Sequence, residues 1–566
     1  MKQDMDIIYV SYNSEKWIEK CFASLLRSDY DLKQVKIYVV DNGSTDHTVD
    51  RLQEAKGMLQ SRIGGFEIIE SKENLGFGRG NNLGFSKGSS DIVCFFNIDT
   101  EVLDNTLSEL MKAVEQSKEE VAMWELRQFP YEHPKHYDPV TMEGLWSSGA
   151  AFAMRREIYQ KLGGFDEKIF MYAEDVDLSW RLRSFGYKIH YVPEAVIMHY
   201  SYEEAGAVQP NQHVVGVINN LRLRYRFGKL SDILRGHLKF WFLMGIPSAF
   251  PHSKRMLLKE YARHFARIPY FLPGKKCGKN RDFSAQFLGW DYSPCREGGY
   301  YFNEFLSETP KVSVIVRTCG RPSVLRETLI SLRHQTYPNI EVVVVEDGEN
   351  VSEKMIREEF SDLNLVYQAT GKKVGRSRAG NLAMEKVSGK YLNFLDDDDL
   401  FYADHVEVLV SQLIKGTNRA AYAFGFETPI RVISKNPYQY TVKRYNAVHK
   451  QEFDKAALCH HNYLPIQTIM FEKSLFEEYG GLDESLDALE DWDLWVRYSL
   501  HTDFTCVKKT TSIYRVPQNR KINAERQKAL DEALIVVRNK HKGYIQTISA
   551  YEIAMAYEKR NSMLPR

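Results

Sequence analysis

Short runs of consecutive apolar residues alternate with longer amphipathic stretches along this chain, and the alternation occurs twice. Residues 6–13 read DIIYVSYN and residues 312–319 read VSVIVRTC, each a buried-strand pattern ending in polar residues. The stretches that follow, SEKWIEKCFASLLRS and RPSVLRETLISLRHQ, carry a helical pattern. Second strands are predicted at VKIYVVDNGSTD (35–46) and IEVVVVEDGEN (340–350). Val10 lies as far from Asp41 as Val316 does from Asp347, and Arg79 as far from Asp99 as Arg378 from Asp398. FGRGNNLGF (77–85) matches GRSRAGNLA (375–383), and GGFDEKIFMYAEDVDLSWRLR (163–183) matches GGLDESLDALEDWDLWVRY (480–498) with one residue fewer between Gly-Gly and Glu-Asp. Matched blocks in one order mean two copies of one domain and not a short-period solenoid.

Strand–helix–strand–helix order predicts a mostly parallel α/β sheet in each copy. The expected organisation is domain 1 at 1–220, a helical, basic and aromatic connector at 221–307, domain 2 at 308–520 and a helical tail at 521–566. A chain of 566 residues exceeds one core, and 43% hydrophobic with 13% aromatic residues is a globular composition. The seven cysteines are scattered and contain no CxxC, so neither a disulfide framework nor a zinc site is indicated. Cys459-His460-His461 lacks a matching partner cluster. MKQDMDIIYV does not read as a signal peptide, and FWFLMGIPSAF (240–250) is too short to span a bilayer. The expectation is a cytoplasmic protein.

In open α/β sheets ligands bind beyond the carboxyl ends of the strands. Asp41, Asp99, Asp347 and the run Asp396–Asp399 all follow apolar strands, so the acids are predicted to converge on one edge. Four adjacent aspartates repel one another and call for a cause. A calcium loop is excluded, because its sixth position must be Gly and is here Phe401. Asp399 is placed to cap a helix near Leu400, but capping uses one Asp and not four. The remaining reading is a carboxylate pair, Asp396 and Asp398, that holds Mg²⁺ or Mn²⁺ together with phosphate oxygens. In the first copy FFNIDTEV replaces the first acid with Asn97 and keeps the second as Asp99.

The set VSYN, VVDNGSTD, ENLGFGRGNN, FNIDT, GGFDE and AEDVDLSWRLRSFG resembles the family 2 glycosyltransferases of the GT-A fold, and so does VSVIVRT, VVVVEDG, GRSRAGN, FLDDDD, GGLDE and EDWDLWVR. The resemblance covers roughly 1–205 and 310–516 and implies two tandem GT-A domains. It implies nucleotide-sugar donors, a divalent metal (Mg²⁺ or Mn²⁺) and inversion at the anomeric carbon. Asp175 and Asp491 are then the catalytic bases, with Glu174 and Glu490 positioning the acceptor. The other reading of these acids is an acidic first helical turn, and both can hold together. Asp41 and Asp347 are expected to accept the imide N–H of uracil or thymine, which disfavours a CMP-sugar; the competing reading of Asp41 is a turn residue before Asn-Gly. Arg79 and Arg378 are candidates for the diphosphate, against a solvated role. His199 is a candidate third metal ligand in the first copy only, since Tyr514 stands near its place in the second. NIDT and EDVDLSWRLRSFG resemble the rhamnosyltransferase-like branch, which makes dTDP-rhamnose a candidate donor; FLDDDD is closer to the pattern for UDP-hexose or UDP-N-acetylhexosamine.

Lys+Arg and Asp+Glu both number 75, so net charge implies no polyanionic partner, and nucleic acid is not expected. Residues 221–281 are the local exception. Arg222, Arg224, Arg226 and further cations stand there against Asp232 and Glu260, with aromatics such as Trp241 and Phe242 between them. Two readings compete, a structural connector and a patch that meets anionic lipid headgroups, with those three arginines facing the lipid. The expected reaction is bifunctional sugar transfer to a growing glycan or lipid-linked oligosaccharide of a bacterial surface polysaccharide, at the inner face of the plasma membrane. The alternatives are one catalytic copy beside a glycan-orienting one, and a glycan-binding scaffold. No Q-x-x-R-W motif is present, which argues against a self-translocating synthase.

Overall fold

The computed structural model describes residues 4–200, 210–248, 250–272, 277–544 and Ala554. It divides into two compact units, one of residues 1–295 and 299–303, the other of residues 296–298 and 304–566. In the first, the strands are β1 (Met5–Ser11), β2 (Val35–Asp41), β3 (Gly65–Glu70), β4 (Ile92–Asn97), β5 (Thr100–Val102), β6 (Val121–Phe129), β7 (Glu143–Gly144), β8 (Ala151–Arg155) and β9 (Lys188–His199). Their order in the sheet is β3-β2-β1-β4-β8-β6-β9-β5, with β7 on β9. The first four run parallel, and β8 turns the sheet mixed by pairing antiparallel with β4 and β6.

The second unit repeats this order. Its strands are β10 (Val312–Thr318), β11 (Ile340–Glu346), β12 (Leu365–Ala369), β13 (Tyr391–Asp396), β14 (Leu400–Phe401), β15 (Ala420–Lys435), β16 (Tyr438–Val442), β17 (Asn446–His449), β18 (Ile469–Glu472) and β19 (Phe504–Pro517), ordered β12-β11-β10-β13-β18-β15-β19-β14. The hairpin β15–β16 is an extension on this unit. The tandem α/β architecture predicted from the repeat is therefore the one observed.

Strands such as VKIYVVD are apolar almost throughout because helices cover both faces of a parallel sheet. Successive residues of one strand feed different cores. Ile7, Cys94 and Phe96 pack with Phe22 and Leu107 on one face, whereas Ile8, Val93 and Phe95 pack with Tyr159 and Leu178 on the other.

Pairing register aligns the two copies differently from sequence spacing. Ser11 lies opposite Asp41, and Thr318 lies opposite Glu346. Glu346, one residue before Asp347, is therefore the counterpart of Asp41, and Asn42 is the counterpart of Asp347. By the same register Val10, opposite Asn97, corresponds to Arg317, opposite Asp396.

The helices that follow each sheet dock alike. In the first unit Arg226, on helix Pro210–Phe227, bonds Asp166 at 2.8 Å and also Asp177. In the second, Lys540 on helix Arg520–His541 bonds Asp483 at 2.5 Å and Asp493 at 2.8 Å. The sequence expectation that Arg222, Arg224 and Arg226 face a lipid surface is corrected here, because all three are buried. A buried guanidinium draws hydrogen-bond acceptors to it. Arg222 donates to Asn219 Oδ1 at 2.7 Å; Arg224 donates to Asn220 Oδ1 and to the carbonyls of Asp232 and Gly289. Lys275, Lys276 and most of the tail beyond 544 lie outside the described residues.

Arg226→Met should remove a guanidinium shared by two carboxylates that have no exposed surface, leaving Asp177 with Arg181 at 2.7 Å, and cost about 3–5 kcal/mol. Lys540→Met should cost less, because its side chain is 31% exposed and water screens the loss. Hydrogen exchange read separately over each unit checks the order; equal, small losses would contradict it.

Candidate functional site

The parallel strands of each unit deliver their acids to the carboxyl-terminal edge of the sheet. At the end of β2, Asp41 accepts from Ser11 Oγ at 3.2 Å, the Gly43 and Ser44 amides at 3.1 and 3.0 Å, and Ser44 Oγ at 2.5 Å. The carboxylate is 2% exposed and closes its own turn. Glu346 does the same work in the second unit, taking the Gly320, Val351 and Ser352 amides and the Ser352 and Tyr367 hydroxyls. Asp347 instead accepts from the Val374 and Gly375 amides at 2.6 and 3.1 Å and lines an open cavity of about 340 Å³ with Arg376, Asp396, Asp397 and Asp398.

Beyond β4, Asp99 and His199 come together through the pairing of β5 with β9, which sets Thr100 opposite His199. His199 Nε2 is 3.6 Å from Asp99 Oδ1, and its Nδ1 is 2.9 Å from Gln128 Oε1. Burial lowers the imidazole's pKa, and the Asp99 charge opposes that shift. In the second unit Leu400 lies opposite Ile513, so Tyr514 takes the place of His199.

The four aspartates of the second unit separate into different environments. Burial favours protonation of Asp396, but a two-pronged contact with Arg317 at 2.8 and 2.9 Å holds it below the usual carboxylate range. Asp397 is buried on Thr318 and Arg321, and burial raises it to about 6. Asp399 accepts the Arg515 amide and is raised by burial. Asp398 is the most exposed member, its side chain 38% open against 30% for Asp396, with Arg321 at 3.1 Å. Arg317 also donates to Glu490 at 2.9 Å, so one guanidinium joins the strand-end acid to the Glu-Asp helix. The sequence reading of Asp396 and Asp398 as a free pair did not weigh this arginine, although an Arg inside the strand pattern VSVIVRTC was its signal.

The Glu-Asp pairs open helices Glu174–Ser184 and Glu490–Ser499, each preceded by a non-glycine residue in left-handed conformation, Ala173 at φ 68° and Leu489 at φ 59°. Strain of this kind collects where a side chain must be aimed. Asp175 accepts from the Gly149 and Val176 amides at 3.0 and 2.8 Å, Asp491 from Asn462 Nδ2 at 3.1 Å and the Trp492 amide at 2.8 Å. Burial raises Asp175, and burial with the Glu490 charge raises Asp491 to about 7. Glu174 is raised by burial and by Asp175, and its Oε2 has no hydrogen-bond partner among the described residues, since Val10 stands where the second unit has Arg317.

Helices Phe77–Phe85 and Arg376–Met384 each follow a left-handed glycine, and a Cβ at Gly76 would come within 2.5 Å of the Phe170 carbonyl. Arg79 pairs with Glu73 at 3.4 Å and Arg378 with Glu484 at 2.9 Å, both on the surface. Two residues apart on a helix point away from each other, so it is Arg376 and not Arg378 that lines the cavity. A second cavity of about 900 Å³ opens from Asp398 and Arg321 toward the β15–β16 hairpin.

Among the described residues no three His, Cys, Asp or Glu side chains form a ready metal shell. Asp99 with His199 supplies two donors close enough for one divalent cation, whose other positions would fall to phosphate oxygens and water. In the second unit Asp398 is open, while a cation on Asp396 would displace Arg317.

The sequence profile of glycosyl transferase family 2 matches residues 6–178 and again 313–480. An uncharacterized glycosyltransferase of Rickettsia prowazekii is 29% identical over 193 residues, 34% of this chain and 59% of that protein. The chain thus spans about three fifths of the length of that relative. An N-acetylglucosaminyl-diphospho-decaprenol L-rhamnosyltransferase of Mycobacterium tuberculosis is 25% identical over 259 residues, 38% of this chain and 81% of that one. Among solved structures, a mannosyltransferase of Pyrobaculum calidifontis in complex with GDP-mannose and Mn²⁺ aligns with a TM-score of 0.32 at 19% identity, covering 48% of this chain and 72% of that chain.

The Asp491 environment makes opposite predictions for its two neighbours. Glu490→Gln removes an adjacent negative charge and should lower the Asp491 pKa from about 7; Asn462→Ala removes a donor to the carboxylate and should raise it. Side-chain carboxyl NMR titration reads both, and shifts of one sign would contradict the arrangement.

Proposed function

Because the chain belongs to glycosyl transferase family 2, we propose that each of its two units transfers a sugar from a nucleotide-sugar donor to a growing, lipid-linked bacterial surface polysaccharide, with inversion at the anomeric carbon. The observation that carries this reading is the recurrence, in both units, of a buried Glu next to a half-buried Asp at a strained helix start beside a strand-end acid. Asp175 and Asp491 act as general bases, taking the acceptor hydroxyl's proton as its oxygen attacks the anomeric carbon. A base raised to about 7, as Asp491 is, is matched to that task near neutral pH. Glu174, with a buried oxygen unpartnered among the described residues, and Glu490 orient the acceptor.

On the donor side, Asp347 at the cavity wall is a candidate acceptor for the imide N–H of a UDP- or dTDP-sugar, with Arg376 near the diphosphate. Asp41 serves the donor by holding the turn on which the nucleobase rests, and Arg79 and Arg378, ion-paired on the surface, are outer contacts for the phosphates only once released from Glu73 and Glu484. Asp99 with His199 in the first unit, and Asp398 with Asp396 in the second, are the residues to hold Mg²⁺ or Mn²⁺. A bound cation supplies charge neutralisation for the departing nucleoside diphosphate. The first unit is read as rhamnosyl-transferring, in keeping with the name of the mycobacterial relative, whose acceptor is lipid-linked. The second is read as using a UDP-hexose or UDP-N-acetylhexosamine. The proposed place of action is the inner face of the plasma membrane. The competing reading, one active unit and one that orients glycan, takes its support from Arg317, which only the second unit has.

Asp175→Asn and Asp491→Asn should each remove a different linkage from the product, with a loss of about 10²–10⁴ in the corresponding rate. If one change is silent and the other abolishes all transfer, the single-active-unit reading replaces this one. A carboxylate base works only when ionised, so kcat/KM of the second unit should rise about tenfold per pH unit below 7 and level off above it. Asp99→Ala should abolish transfer by the first unit, and full activity of both units in excess EDTA would overturn the metal assignment.

A further inference from the structure

With Arg222, Arg224 and Arg226 buried, the cationic surface of the first unit lies elsewhere, on helices Leu230–Gly245 and Ser253–Phe271. The first of these is inverted for a helix on a globular protein. Its inward face carries Gly236 and Phe240, and its outward face is apolar: Leu230 is 72% exposed, Leu234 57%, Leu238 70%, Trp241 55% and Phe242 72%. The spacing of these five residues, four, four, three and one apart, sets them on a single stripe. An ordinary solvated helix places polar residues there, and an apolar patch of this continuity marks an interaction surface.

The stripe continues onto the second helix through rings. Trp241 packs on Tyr261 at 5.8 Å, Tyr261 on Phe265 at 5.0 Å, and Phe265, 49% exposed, stacks on His237 at 6.0 Å. Arg235 and Lys239 flank the stripe on its own helix, and Arg255, Lys259, Arg263 and Arg267 recur every fourth residue as an exposed ridge on the other. Of the two acids of these helices, Asp232 accepts the Lys229 amide at 2.9 Å, and Glu260 pairs with Arg263 at 2.6 Å, which leaves Arg255, Lys259 and Arg267 to carry the ridge's net charge. Among the described residues no helix is long and apolar enough to cross a membrane. The first helix, about 24 Å long, suits a position lying in an interface.

We infer that helices 230–245 and 253–271 form a docking surface for an anionic lipid membrane, with Leu234, Leu238, Trp241 and Phe242 entering at headgroup depth and the basic ridge meeting the phosphates. Charge complementarity selects this occupant. A protein partner that covered only the apolar stripe would leave a cationic ridge beside it, whereas an anionic lipid surface takes the stripe at its acyl boundary and the ridge at its phosphates. The inference deepens the lipid-linked acceptor of the proposed function, and its test reads vesicle binding without donor or acceptor.

The full chain is floated with vesicles of phosphatidylcholine alone and of phosphatidylcholine mixed with phosphatidylglycerol, at low and high salt. Binding is expected only with the anionic mixture and is expected to weaken with salt. Leu234→Glu with Phe242→Glu should reduce the bound fraction about tenfold or more at low salt. Arg255→Glu with Lys259→Glu should remove the salt-sensitive part. Quenching of tryptophan fluorescence by brominated lipid should be lost in Trp241→Phe, a variant with no folding penalty at an exposed position. Because transfer to a soluble acceptor is measured in parallel, loss of vesicle binding with retained transfer separates this inference from the proposed function. Absence of binding at low salt, binding indifferent to the apolar substitutions, or a concentration-dependent dimer dissolved by them with no vesicle binding would each overturn the inference.

Discussion

A carboxylate withdrawn from water is costly unless N–H donors or a cation stand against it, and both units are organised around meeting that condition. Turn amides and hydroxyls meet it at Asp41 and Glu346, cations at Asp166 with Asp177 and at Asp483 with Asp493. Where the compensation is incomplete, at Asp175 and Asp491, the acid is left with a raised pKa, which is the property a general base requires. Stability and chemistry thus differ here only in how far a buried acid is satisfied.

The two copies divide over a single coordinated exchange. Val10 beside Asn97 is neutral, and Arg317 beside Asp396 is an ion pair that extends to Glu490. The first unit keeps a Glu174 oxygen unpartnered among the described residues and an Asp99–His199 pair; the second ties its first aspartate and its glutamate to one guanidinium and leaves Asp398 the most open. Identical sheet order therefore carries two different electrostatic sites.

The helices after each sheet extend the same rule outward. Arg226 and Lys540 meet equivalent acid pairs, so part of the connector has a counterpart in the helix near the chain's end. Once its arginines are consumed inside, what the first unit presents outside is the apolar stripe of helix 230–245 and the ridge from Arg255 to Arg267.

The duplication, the strand and helix alternation and the gathering of acids on one edge were legible in the sequence, because periodicity and spacing are local properties that burial imposes on neighbouring residues. The roles expected of the Glu-Asp pairs, Asp99 and the Asp396–Asp399 run came instead from the family resemblance of their motifs. Pairing register was not legible, and it decided that Glu346 rather than Asp347 corresponds to Asp41. Nor did the sequence reveal which of four adjacent aspartates stays open, that Arg376 and not Arg378 faces the cavity, or that Arg222, Arg224 and Arg226 turn inward. Those outcomes depend on which oxygens and cations far along the chain come within hydrogen-bond reach, and only the tertiary structure brings Arg317 to Asp396 and Glu490, or Arg226 to Asp166 and Asp177.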